Sequence, residues 1–148
     1  MGFSEKINDD LKAAMKSGDK TKLETLRMLR AQILEFEKSG ANRQLNDDDA
    51  MKILLSAVKK RKESLELYEK AGRKELAEKE KTEIEIIQAY LPKQMSKEEA
   101  VTLIGKIISE SGAEGLKDIG KVMPAVMKEL KGKLDGKVIN EIVREKLS

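Results

Sequence analysis

A basic segment near the carboxyl end of the chain holds the residues whose types and spacing could do chemistry. Three lysines surround a short glycine-containing turn, in the sequence Lys131-Gly132-Lys133-Leu134-Asp135-Gly136-Lys137. Two further lysines, Lys121 and Lys128, precede this turn, and their spacing of seven residues places both on nearly one face of a helix. Positive side chains gathered on one face are typical of surfaces that bind phosphate groups. The candidate nucleic-acid-binding residues are therefore Lys121, Lys128, Lys131, Lys133, Lys137 and Arg144.

Glycines accompany these cations and could let a partner's backbone come close, because glycine has no side chain beyond a hydrogen. Gly120, Gly132 and Gly136 are the candidates for such an approach. For Gly120 the alternative interpretation is close packing of two helices, and we favour it over the approach of a partner. Pro124 follows it by four residues and has no amide hydrogen, so the helix is expected to kink or to begin late. Asp135 is expected to cap the last helix.

The distribution of charge supports a basic surface more than its total does. The chain has 30 Lys or Arg against 27 Asp or Glu, a net charge of +3, which is too small to indicate nucleic acid by itself. Residues 115–148 hold eight basic against five acidic residues, also a net of +3, whereas residues 1–95 hold twenty against eighteen. Positive charge is therefore denser in the tail, although lysines beside a turn can also be ordinary solvated surface.

The chain has few residues that could catalyse a reaction, because it contains no cysteine and no histidine. Their absence removes the usual thiolate nucleophile, the commonest general base and the commonest metal ligand. Glu80 and Glu83 share a helix face and could form an acid and base pair, but Lys79 and Lys81 lie beside them and we expect no burial. The sequence therefore predicts no catalytic residue, no metal site, no cofactor and no intrinsic enzymatic activity.

The scarcity of aromatic side chains, 3% of the chain, limits the kind of nucleic acid that could bind. Single-stranded bases stack on aromatic rings, so we expect recognition of folded RNA through phosphates and 2′-hydroxyls. A second basic run, Lys59-Lys60-Arg61-Lys62, covers just over one helical turn and points its charges in several directions. We interpret that run as solvated helix surface.

The first residues, Met1-Gly2-Phe3-Ser4-Glu5, include no apolar stretch of the length that a signal peptide needs. No later stretch is long and apolar enough to span a bilayer. We therefore expect a cytoplasmic protein with no membrane partner, and we favour a monomer.

Helical periodicity runs through the sequence, and no segment alternates polar and apolar residues as a strand would. Start and stop signals divide the chain into seven predicted helices, four before Pro92, which breaks the pattern, and three after it. We predict an all-α protein with an N-terminal four-helix domain at residues 1–91, a linker at 92–96 and a small three-helix C-terminal domain at 97–148.

The predicted helix ends come from residues that satisfy the free backbone groups of a terminus. Ser4, Asp19 and Ser96 are predicted N-caps, the last of them in a capping box with Glu99. The acidic run at residues 46–49 is predicted to start the third helix. The predicted stops are Gly18, Gly40, Gly72, Gly112 and Gly132.

Five short motifs in register resemble the GatB/YqeY family, most closely its free-standing YqeY-like proteins. They are Leu11-Lys12-Ala13-Ala14-Met15-Lys16, Leu26-Arg27-Met28-Leu29-Arg30-Ala31, Lys60-Arg61-Lys62-Glu63-Ser64, Tyr90-Leu91-Pro92-Lys93-Gln94 and Asp118-Ile119-Gly120-Lys121-Val122-Met123, the last continuing to Gly136. The C-terminal half is similar to the tail domain of the B subunit of the glutamine-dependent tRNA amidotransferase, a carbon-nitrogen ligase with glutamine as amido-N-donor. The resemblance implies an accessory tRNA-binding role in translation, without that enzyme's catalytic and glutaminase regions.

Two rival classes of function stay open beside tRNA binding. The chain could be a protein interaction module, in which an exposed helix face of the N-terminal domain docks to a translation-related enzyme. Exposed apolar residues would favour that interpretation. An enzyme in its own right would need a carboxylate or a lysine buried in a cleft.

Overall fold

The computed structural model describes residues 2–39 and 45–148, and the chain divides into one compact unit that ends at Leu91 and another that begins at Pro92. The described residues form seven α-helices and one 3-10 turn, and none of them lies in a strand. The prediction of an all-α protein is confirmed.

Four helices make up the first unit, and three helices with the 3-10 turn make up the second. The first unit contains α1 (Phe3–Ser17), α2 (Lys20–Lys38), α3 (Asp47–Lys70) and α4 (Lys74–Gln88). The second contains α5 (Lys97–Ser111), the 3-10 turn (Leu116–Asp118), α6 (Ile119–Leu130) and α7 (Gly136–Leu147).

Side-chain caps begin several of these helices as the sequence predicts. The Asp19 carboxylate accepts a hydrogen bond from the Lys22 amide at 3.1 Å, and the Ser96 hydroxyl accepts one from the Glu99 amide at 3.1 Å. At the start of α3, Asn46 and Asp49 exchange hydrogen bonds of 2.9 and 3.1 Å, a complete capping box. Each bond satisfies an amide that would otherwise have no intrahelical partner.

Three glycines end helices in the left-handed region, where a side chain would be strained: Gly18, Gly72 and Gly112, with φ of 74°, 71° and 73°. The predicted stop at Gly40 lies outside the described residues, although Ser39 before it is the C-cap of α2.

The predicted N-cap at Ser4 is wrong. The first helix begins at Phe3, with Gly2 as its N-cap, and the Lys6 amide donates to the Gly2 carbonyl at 3.0 Å. Packing of Phe3 accounts for the early start, because its ring meets the ring of Tyr90 edge-on, with centroids 6.0 Å apart. A tertiary contact therefore decides where this helix begins.

Each unit has its own aliphatic core. In the first unit the core brings together α1 to α4, with Ile7, Leu26, Leu29 and Ile87 fully buried. The Tyr90 hydroxyl donates to the Asp10 carboxylate, and the Lys6 ammonium lies 5.3 Å from the centre of the Tyr90 ring. These contacts tie α1 to the segment that follows α4.

A charged cluster joins α3 to α4 inside the first unit. The Arg61 guanidinium lies 3.0 Å from the Glu83 carboxylate, with side chains 17% and 13% exposed, and it also donates to the Ala57 carbonyl. One carboxylate oxygen of Glu80 is buried and accepts no hydrogen bond from any described residue. The expectations that Arg61 is solvated and that Glu80 and Glu83 are not buried are therefore wrong in part, because helix pairing leaves all three side chains half-buried.

Glu80 is expected to destabilise the fold at neutral pH. Burial raises its pKa, the neighbouring charge of Glu83 raises it further, and Arg61 and Lys79 oppose the rise only in part. A carboxyl whose pKa is raised on folding contributes most stability at pH values below its unfolded pKa, and that contribution is lost as pH rises through the folded pKa.

We predict that Glu80→Gln raises the thermal unfolding midpoint at pH 7, and that its advantage over the wild type shrinks at pH 4. Circular dichroism melts at both values measure this. Glu85→Gln, at an exposed position of the same helix, is the matched control and should change neither midpoint. A Glu80→Gln midpoint below that of the wild type at pH 7 would contradict the proposed cost of the buried charge.

Candidate nucleic-acid interface

The packing of α6 determines which of its side chains can meet a ligand. Val122, Val126 and Leu130 are fully buried in the core of the second unit. Successive residues of a helix are about 100° apart around its axis, so Lys121 and Lys128 fall on the side opposite this buried stripe. Both are exposed, about 10 Å apart along the axis. We call the exposed surface from Lys121 to Lys128 the α6 face.

Acidic residues are scarce on the α6 face. Between Lys121 and Lys128 the sequence contains only Val, Met, Pro and Ala, and the one acid of α6 is Glu129. Glu129 lies about 100° around the axis from Lys128. The positive charges of the face are therefore not interleaved with carboxylates.

One acid, Asp118, does lie beside the α6 face, at the start of the helix. Its carboxylate accepts a hydrogen bond of 2.9 Å from the Glu114 amide, in the turn before the helix. That bond holds the pKa of Asp118 below its ordinary value, and the charges of Lys121 and Lys117 lower it further. Asp118 therefore stays ionised at neutral pH and offsets part of the charge of Lys121.

Residues 92–95 form hydrogen bonds with the backbone of the turn between α6 and α7. The Gln94 side-chain amide donates to the carbonyls of Gly132 and Pro92, both at 2.8 Å, and the Met95 amide donates to the Lys133 carbonyl at 2.9 Å. Sequence reasoning missed Gln94, although it lies in one of the five motifs that carry the family resemblance. Its contact partner is 38 residues away, and no local pattern indicates such a contact.

The three candidate glycines have different surroundings. Gly132 is buried with φ of 78°, and its carbonyl is the acceptor for Gln94, so it shapes the turn from within. Gly120 and Gly136 face open space: no described heavy atom beyond the chain neighbours and their own helix lies within 4 Å of the position a Cβ would take. Close helix packing is therefore wrong for Gly120, and its backbone is accessible.

Pro124 lies inside α6, which does not begin late. The helix starts at Ile119 and runs through Pro124 to Leu130 without a break. Because proline has no amide hydrogen, the carbonyl of Gly120, four residues earlier, receives no hydrogen bond from position 124. Gly120 lies in the exposed first turn of the helix. Water can reach that carbonyl, so the proline is tolerated. The expectation of a late start is wrong, because the helix already includes Gly120.

The remaining candidate cations lie on the turn and on α7. Lys131 and Lys137 are exposed and Lys133 is half-buried. The Arg144 guanidinium is exposed and donates to the Asn140 side chain at 3.1 Å. Glu141 lies between Lys137 and Arg144 at helical spacing, so the positive charge on this part of α7 is interleaved with a carboxylate, unlike that of the α6 face.

We predict that Gly132→Ala lowers the free energy of unfolding by about 1–2 kcal/mol, because a side chain in the left-handed region meets the following carbonyl. Urea unfolding of the full chain measures this. Gly136→Ala is the matched control: its Cβ would enter open space, and alanine favours a helix, so stability should stay the same or rise. Equal losses of stability at both positions would contradict the structural role of Gly132.

The part of the chain that the structure describes has no group of three or more Asp and Glu side chains placed to hold a metal ion. None of its helices is long and apolar enough to cross a membrane.

Comparison with known proteins relates nearly the whole chain to one family. Residues 4–147 match the family model described as YqeY-like protein. The chain is 29% identical over 143 residues to altered inheritance of mitochondria protein 41, mitochondrial, of Pyrenophora tritici-repentis, covering 95% of this chain and 78% of that protein. The protein of the same name in Eremothecium gossypii is 36% identical over 85 residues, covering 57% of this chain and 46% of that protein.

A further relative is a larger protein. The E subunit of the glutamyl-tRNA(Gln) amidotransferase of Methanospirillum hungatei is 33% identical over an alignment of 156 residues. That alignment covers 100% of this chain but 24% of the larger protein. The resemblance to part of a tRNA amidotransferase is therefore confirmed, here through its E subunit.

Proposed function

We propose, from the premise that this chain belongs to the YqeY-like family, that it is an accessory protein that binds folded tRNA through the α6 face and has no catalytic centre of its own. The observation that carries the proposal is the pair Lys121 and Lys128, exposed on one side of α6 with no acid between them. Such a surface attracts phosphates and releases their counterions.

The chemistry of the α6 face suits a phosphate backbone better than bases. Lysine ammonium groups act as point charges and contact phosphate oxygens without reading sequence. The aromatic rings of Phe3 and Tyr90 pack against each other in the other unit, and so are not free to stack on bases. The accessible backbone at Gly120 leaves room for a ribose or a phosphate at one end of the face.

The backbone of the turn that follows α6 is held by hydrogen bonds rather than by a large core. Gly132 adopts a backbone conformation that other residues avoid, and Gln94 and Met95 hold the carbonyls of residues 132 and 133. The lysines at positions 131 and 133 therefore extend from a backbone that is bonded to another segment. Flexible side chains on a fixed backbone suit the phosphates of a folded RNA, whose positions are set by shape.

The relatives support an accessory role in translation. One of them is named as part of a glutamyl-tRNA(Gln) amidotransferase, and this chain spans about a quarter of it. We therefore propose a shared partner, tRNA, and do not transfer the amidotransferase activity. The cytoplasmic location remains a prediction, since the names of two fungal relatives place those proteins in mitochondria.

The second candidate function is a protein interaction module, and exposed apolar side chains in the first unit favour it. Leu34, Met15 and Leu67 are 43%, 55% and 67% exposed. Aliphatic side chains left in water gain stability when a partner covers them.

The test of tRNA binding is a fluorescence titration of the full chain with bulk tRNA at several salt concentrations. If Lys121 and Lys128 contact phosphates, Lys121→Ala with Lys128→Ala should lower the magnitude of the slope of log affinity against log salt by about two. The pair Lys131→Ala and Lys133→Ala tests the turn in the same way, again with a decrease of about one for each phosphate that is no longer bound.

Lys97→Ala with Lys106→Ala is the matched control, because it removes the same charge from exposed positions on α5 of the same unit. It should lower affinity slightly and leave the slope nearly unchanged. An equal decrease of the slope in the control and in the α6 variant would show a non-specific effect of charge, and an unchanged slope in the α6 variant would exclude the α6 face as the binding surface.

A further inference from the structure

Helix α2 presents a second exposed face that tRNA binding through α6 does not use. Its buried side is formed by Thr25, Leu26, Leu29 and Ile33. Opposite that side, five exposed residues recur at helical spacing, and we call them the α2 face. They are Arg27, Arg30, Ala31, Leu34 and Lys38.

The α2 face combines positive charge with an aliphatic centre. Leu34 is 43% exposed, and Ala31 lies one helical turn before it. Among the described residues, neither Arg27 nor Arg30 forms an ion pair with an acid. Two guanidinium groups therefore precede a small apolar patch along the helix, and Lys38 follows it.

The acids of α2 leave the α2 face positive. The Glu24 carboxylate lies 3.7 Å from the Lys79 ammonium of α4, and Glu35 lines a groove between α2 and α3. Glu35 borders the α2 face on the side of Ala31 and Lys38, and Glu37 borders it on the side of Arg30. With Glu24 paired to Lys79, three cations against two bordering acids give the face a net charge of +1.

We propose that the α2 face docks an acidic amphipathic helix of a partner protein. Arginine forks bind carboxylates with two hydrogen bonds, and arginine is enriched at protein interfaces. An aliphatic side chain of the partner would cover Leu34 and Ala31, while glutamates beside it would meet Arg27 and Arg30. A helix laid in this way buries apolar area and pairs charges at the same time.

The exposed side chain of Leu34 favours a protein over a nucleic acid as the ligand of the α2 face. A phosphate backbone gains from the two arginines but gains nothing from covering Leu34, whereas an amphipathic helix uses both. This inference specifies the second candidate function and does not depend on tRNA binding, since it concerns another helix in the other unit.

The probe is a fluorescein-labelled peptide of about 18 residues, long enough to form a helix, with leucine on one face and glutamate beside it. Fluorescence anisotropy with the full chain should show it binding at least tenfold more tightly than a scrambled peptide of the same composition, roughly a 1.4 kcal/mol preference. A version with lysine in place of glutamate should bind no better than the scramble.

Variants of the α2 face then test the assignment. Arg27→Gln with Arg30→Gln should weaken binding of the acidic peptide about tenfold or more, and Leu34→Ala should weaken it by roughly the same factor. Lys121→Ala with Lys128→Ala should leave peptide binding unchanged. These side chains are exposed, so melting curves are expected to show intact folding in every variant, and Arg27→Lys with Arg30→Lys provides a milder pair.

Two outcomes would overturn the proposal. In the first, the acidic peptide binds no more tightly than the scramble. In the second, loss of the arginines weakens tRNA binding while Leu34→Ala affects neither ligand, which would make the α2 face a nucleic-acid surface. Failure of the tRNA titration with the α6 variants leaves the peptide result unaffected, so the two proposals fail separately.

Discussion

Burial of one aliphatic stripe on each helix is the constraint on which the rest of this structure depends. The chain has no cysteine or tryptophan and few aromatic residues, so disulfides and large rings cannot hold it together. Its cores consist of side chains such as Ile104, Val126 and Leu130, each fully buried and each contributing about 1.5–3 kcal/mol. Because a helix is rigid, turning one stripe inward also decides which residues point outward. The exposed cations of α6 and α2 follow from that requirement.

The charged residues divide into two physical roles. Arg61 and Glu83 form an ion pair that is largely shielded from water between α3 and α4, where its formation depends on close geometry and where Glu80 adds an unsatisfied carboxylate oxygen. Lys121 and Lys128 lie in water, where isolated charges add little to stability and remain available to a ligand. Charge inside the first unit therefore concerns folding, whereas charge on the α6 face is available for recognition.

Most of the fold could be predicted from the sequence, because it depends on interactions between residues that are close along the chain. The caps at Asp19, Asn46 and Ser96 and the stops at the left-handed glycines depend on hydrogen bonds and dihedral angles within four residues, so they could be predicted from neighbours along the chain. The exposure of Lys121 and Lys128 followed in the same way, from the period of the apolar residues around them.

Only the tertiary structure decided the features that depend on distant partners. Phe3 starts α1 two residues before the predicted first residue because it meets Tyr90. Arg61 turns inward because it pairs with Glu83, which lies 22 positions further along the chain, and Gly132 is buried while Gly120 is open. Burial of a polar group or a glycine is a property of the surface that packs against it. A sequence pattern specifies which face of a helix is apolar, but not which side chains of another helix will meet it.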